Sequence, residues 1–168
     1  MNYWGYLLEG LGVAIGIIAG IVVAIVLQKI INWKKEQQKV KNLIFELQMN
    51  IKKIDDLLEE TQKYRNAVNA DNLSIYHGYF DLSKYIWGTA LDMLKSGLLY
   101  KYLSLEQIER LQYMSSELSI YSGNYMNNQL QGFKVNFDKV KAILAIDFWE
   151  SKFKEDKKNL IEIRDKLG

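Results

Sequence analysis

GLGVAIGIIAGIVVAIVLQ, residues Gly10 to Gln28, is a run of nineteen residues without a charged side chain. As a helix rising about 1.5 Å per residue it is roughly 28 Å long, close to the thickness of a bilayer's hydrocarbon core. Aromatic residues stand where interfacial anchors stand, with Tyr3, Trp4 and Tyr6 before the run and Trp33 after it. The path from Trp4 to Trp33 covers roughly 43 Å, about a bilayer with its headgroup layers included. Nothing else in the chain is apolar enough all round to enclose such a segment in water. The run therefore reads as a transmembrane helix, with residues 1–33 as the membrane segment and 34–168 as a single small helical domain.

The flanking charges orient it. A secretory signal wants a basic stretch before a short apolar run, whereas here the only early charged side chain is Glu9. The cations lie on the other flank, at Lys29, Lys34, Lys35, Lys39 and Lys41, opposed locally by Glu36. The positive-inside rule then puts the N-terminus outside and the C-terminal domain in the cytoplasm, at the cell membrane. The same lysines suit an anionic leaflet, at about 1 kcal/mol each.

Within the run, Gly12, Gly16, Gly20 and Ala24 recur every four residues and form one small-residue stripe. In lipid, close backbone approach over such a stripe drives helix association where hydrophobicity cannot. The expectation is a homo-oligomer with this stripe as interface. Glu9 projects within about 20° of Gly16 and Gly20. Two readings of it stand: a ring of carboxylates at the mouth of a pore, or a single carboxylate facing water at the headgroup level.

The totals limit the rest. The chain has no proline and glycine is sparse beyond the span, so the tight-turn chemistry of hairpins is largely missing, and with no cysteine, disulfides, thiol catalysis and the usual structural zinc sites are excluded. With 22 basic and 20 acidic residues the net charge is +2, which argues against direct nucleic-acid binding. The eleven tyrosines are spread throughout, with no basic groove between them. The fold class is all-α.

Past Trp33, apolar residues at Val40, Ile44, Leu47, Ile51, Ile54 and Leu58 alternate steps of four and three, and Leu43 and Leu57 widen the stripe. Such width suits the first helix of a bundle better than a narrow coiled-coil seam. Asp55, Asp56, Glu59 and Glu60 have the i,i+4 spacing of a di-metal bundle, but the only histidine is His77, so they read as a solvated face balanced by Lys52, Lys53 and Lys63. His77 has no Asp, Ser or Cys constellation beside it and reads as a surface or packing residue.

Residues 66–74, NAVNADNLS, read as a loop. Asp81 or Ser83 caps a short helix with Ile86, Trp87, Ala90, Leu91 and Leu94 inward, stopped by Ser96 and Gly97. SLEQ at Ser104 is a capping box opening a helix lined by Ile108, Leu111, Met114 or Ser115, Leu118, and Tyr121 or Ser122. A turn is expected near Asn127 to Gly132. A last helix then runs from about Phe133 to Leu167, with Phe137, Val140, Leu144, Phe148, Leu160, Ile163 and Leu167 buried. The expected architecture is a transmembrane helix continuing into a four-helix cytoplasmic bundle. No phosphate-cradling loop, metalloprotease helix or nucleophile elbow is present, so neither catalysis, a cofactor nor a metal is expected.

Two blocks, WGTALDMLKSGLL (Trp87 to Leu99) and LSLEQIERLQ (Leu103 to Gln112), follow the span, the basic junction and the amphipathic helix. In this order of features the chain resembles small single-span prokaryotic membrane proteins with a cytoplasmic helical domain. It is similar to the membrane effectors associated with short-Argonaute and other antiviral immune systems. That resemblance covers little more than an eighth of the chain and assigns no functional residue by position. It implies a soluble immune sensor as partner, contact with acidic lipid and depolarisation of the cell on activation. A passive membrane-anchored helical adaptor or scaffold is the alternative.

Overall fold

The computed structural model describes residues 3–168, with the side chains of 3, 5–8 and 10 left out, so the anchors expected at Tyr3 and Tyr6 lie outside the described side chains. Five α-helices and three short 3-10 turns make up the described residues, with no strand among them: α1 (Tyr3–Asn69), α2 (Gly88–Lys95), α3 (Leu105–Glu117), α4 (Ile120–Val135) and α5 (Lys139–Leu167). The chain divides into two units, residues 1–40 and 41–168.

In the first unit α1 carries the apolar run. Proline is absent and α1 has no glycine beyond Gly20, so nothing in its sequence breaks the hydrogen-bond ladder before Asn69.

The second unit holds the core. Along α1 the buried row is Leu43, Leu47, Asn50, Ile54, Leu57, Thr61 and Tyr64, while Ile44 and Leu58 are only half-buried. The stripe is thus turned slightly from the one that apolar spacing marks out. Polar Asn50 and Thr61 occupy its centre, and a hydrophobic period does not see them. α1 ends at Asn69, three residues beyond the start of the expected loop. Asp71 takes φ +52°, and the Asn72 and Asp71 amides donate to Ala67 and Val68 carbonyls at 3.0 Å each. This is a Schellman stop with aspartate in the place glycine usually takes. Lys139, at the head of α5, donates to the exposed Asn69 carbonyl and to Asp71.

α1 and α5 run antiparallel, as shown by Lys157 pairing with Asp55 at 2.6 Å and Arg65 pairing with Asp147 and Glu150. Tyr64, fully buried, donates to the Leu130 carbonyl of α4, and burial pushes its hydroxyl up to about 12.

Several expectations need correction. No turn occurs near Asn127 to Gly132, because α4 runs through it; the break comes earlier. Leu118 leaves helical geometry and Ser119 caps α4 by accepting from the Ser122 amide. The last helix accordingly opens at Lys139, capped by Asp138, and not at Phe133. Asp81 does cap, but it caps the 3-10 turn Leu82–Lys84. α2 starts at Gly88 and buries Ala90 and Met93, leaving Ile86 and Leu91 exposed. In α5 the buried side is Ala142, Ala145, Ile146, Trp149, Phe153, Leu160 and Ile163, whereas Phe137, Val140, Leu144 and Phe148 face out. The first half of α5 offers two apolar stripes about 150° apart. The one with two alanines allows close helix approach, and Trp149 fills the remaining space.

The capping box at Ser104 forms as expected: Gln107 accepts from the Ser104 amide at 3.0 Å and Ser104 accepts from the Gln107 amide at 3.3 Å. Gly97, at φ +74°, closes α2 in the left-handed conformation that favours glycine.

Candidate functional site

Thirteen large apolar side chains between Leu11 and Ile31 are exposed on the chain by itself, and no part of the apolar window is buried. Covering each is worth about 1.5–3 kcal/mol, so leaving all in water forfeits tens of kcal/mol, more than the 5–15 kcal/mol by which a domain is usually stable. α1 is therefore a candidate membrane span on length and composition.

The residues expected to act there are distributed along this helix. Around Gly12, Gly16 and Gly20, apart from neighbouring residues and the helix's own backbone, nothing among the described residues lies within 4 Å of where a Cβ would stand, so the stripe with Ala24 is open. Glu9 is exposed, as are Lys29, Lys34, Lys35 and Lys41, while Lys39 is half-buried.

A second surface lies in the 41–168 unit, and apolar spacing had counted much of it as core. Val140, Leu144 and Phe148 form an i, i+4, i+8 row on α5, each at least 63% exposed. Beside it Tyr121 and Tyr125 of α4 are 83% and 65% exposed. Tyr121, Tyr125, Phe148 and Trp149 line a depression of about 490 Å³ whose edge carries Glu117 and Lys152. The Phe148 and Trp149 rings meet edge to face at 5.4 Å, which holds the aromatic floor in place. A contiguous aromatic and aliphatic patch rimmed by charge is the usual look of a protein-binding surface.

The segment between α1 and α2 has only short 3-10 turns, and buried polar side chains satisfy part of its backbone. Asn50 exchanges two hydrogen bonds with the backbone of Ile86, at 2.7 and 2.9 Å. Asn127 does the same for Phe80 at 2.9 and 3.0 Å and also reaches the Gly123 carbonyl. Glu46, 4% exposed, accepts from the amides of Thr89 and Ala90 at 2.8 and 3.1 Å, so it caps α2, whose own N-cap, Trp87, has no capping side chain. These three residues were missed as sites because a polar residue inside an apolar stripe reads as a defect. Its recurrence at 46 and 50, four apart in the buried row, is the signal that was available.

A Cβ at Gly78 would stand 1.6 Å from the Glu60 carboxylate and 2.6 Å from the Tyr76 hydroxyl, so a larger residue there would push those side-chain ends aside. His77 beside it is exposed. Asp55 pairs with Lys157, and Glu59 and Glu60 pair with Lys63, so part of the acidic face is held by cations. No group of three or more metal-ligating side chains converges among the described residues.

Compared with family models, curated proteins and solved structures, the chain matches none of them.

Proposed function

We propose that this chain is a single-pass membrane protein whose 41–168 unit is a cytoplasmic helical bundle that receives a soluble protein partner. The observation that carries the reading is the open apolar stretch of α1, too costly to leave in water and of the length a bilayer covers. The basic junction from Lys29 to Lys41 orients the chain with its N-terminus outside and supplies contacts to anionic lipid.

In the fuller form of the proposal, copies associate through Gly12, Gly16, Gly20 and Ala24, Glu9 lies at the outer mouth, and partner binding clusters the spans until the membrane depolarises. The resemblance to membrane effectors of antiviral systems supports this form, with an immune sensor as partner. The outward face of α4 and α5 favours a second reading, a membrane-anchored adaptor that only docks a partner, because such a face needs no pore to be useful.

Alkaline extraction of membranes from expressing cells tests the placement: the chain stays with the lipid, and release into the supernatant overturns it. The natural chain has no cysteine. Single cysteines introduced at Asn2 and Ser151 therefore report topology, with impermeant thiol reagent expected to label the first alone in intact cells. A membrane-potential dye, read with the chain alone and with the product of its genomic neighbour, separates effector from adaptor. No response in either case leaves the adaptor.

A further inference from the structure

The crease between α3 and α5 holds a charge that packing does not account for. Asp156 stands in the buried row of α5, 3% exposed, and its Oδ2 has no hydrogen-bond partner. It lines a cavity of about 530 Å³, a size that accommodates a small organic ligand. The cavity's cations already have anions of their own. Lys152 lies 3.2 Å from Glu117 and 3.3 Å from the Tyr113 hydroxyl. Arg110 is tied to Glu106, Asn159 and Glu162 at 2.6, 3.1 and 3.3 Å. Lys158 reaches Glu162 at 3.9 Å. Between these two cross-ties Glu109 and Glu155, both exposed at the rim, have no ion-pair partner, and neither has Asp156 below them.

An anion would find every cation here engaged. An ion needing several converging ligands would not find them. An organic cation meets one buried carboxylate, two rim carboxylates, and the Tyr113 ring and Met114 side chain for its alkyl chain.

We propose that this crease is a binding site for an aliphatic polyamine, with one ammonium group held by Asp156 and a second by Glu109 and Glu155 at the rim. The site is independent of the membrane reading. Ligand binding and proton binding compete at Asp156. Burial pushes its carboxyl up to about 6, against the nearby Lys152 charge, which lowers it, and Glu155 and Glu117, which raise it further. Tyr113 faces the same crease from α3, and Tyr85, from the segment before α2, feels both Asp156 and Asp56 of α1.

The test is calorimetric titration of the full chain in detergent micelles with spermidine, and with magnesium chloride at matched ionic strength. Spermidine is expected to bind at pH 7.5, at least tenfold more weakly at pH 5, and at least tenfold more weakly to Asp156→Asn. The exposed pair Glu109→Gln with Glu155→Gln, which leaves the core intact, is expected to weaken binding as well and decides the matter if Asp156→Asn does not fold. Equal heats from magnesium, no binding of spermidine at millimolar concentration, or unchanged affinity in the rim pair overturns the proposal.

Discussion

Buried polar residues organise the 41–168 unit, and they differ in how well they are satisfied. Glu46 is fully used, with two amides at the start of α2 and no side chain of α2 to replace it. Glu46→Ala should destabilise the chain by about 2 kcal/mol, while Glu46→Gln, which keeps one acceptor, should cost less, as thermal denaturation in micelles would read. Asp156 is the opposite case. Desolvation raises its carboxyl to about 6, so the fold prefers the protonated form. An acid raised by folding contributes stability that is complete below its unfolded value, near pH 4, and that is lost as pH climbs through 6. Asp156→Asn should therefore stabilise the ligand-free chain at pH 7.5 by about 3 kcal/mol, and the advantage should vanish by pH 4. A constant difference across that range would mean that the carboxyl does not titrate where its burial places it.

Helices show where the sequence is legible and where it is not. The all-helical class, the capping box at Ser104 and the glycine stop at Gly97 are local chemistry and stand where the residues put them. The break between α3 and α4 has little local signature: Leu118 ends one helix and Ser119 starts the next with no glycine or proline between. The face of α5 is illegible for another reason, because two apolar stripes compete and only its neighbours choose between them. That choice is testable. Leu144→Ser, on the exposed row, should change stability by no more than about 0.5 kcal/mol, whereas Ala142→Leu, at a fully buried position, should cost about 1–3 kcal/mol by overpacking. The order expected from apolar spacing alone is the reverse. The spacing of 46 and 50 marks a buried polar pair, but what the buried asparagines bond was illegible, because it is the backbone of Phe80 and Ile86, about 36 to 47 residues away in the chain.

For the molecule as a whole, the open glycines separate the effector from the anchor. Apart from neighbouring residues and the helix's own backbone, nothing among the described residues lies within 4 Å of the Cβ positions of Gly12, Gly16 or Gly20, so leucine there creates no clash among them and leaves the 41–168 core untouched. A change in behaviour on Gly16→Leu with Gly20→Leu must then arise between copies or between a copy and lipid. If the stripe is an interface, the bulk of two leucines holds the backbones apart and removes the close packing on which association in lipid depends. A loss of 1.4 kcal/mol already weakens association about tenfold. Energy transfer between copies labelled at an introduced Ser151→Cys, reconstituted in vesicles over a range of lipid-to-protein ratios, should shift its midpoint by roughly that factor or more. Depolarisation in cells should be lost with it. Transfer that persists unchanged would make the stripe ordinary membrane-helix composition and leave the span an inert anchor for the domain it carries.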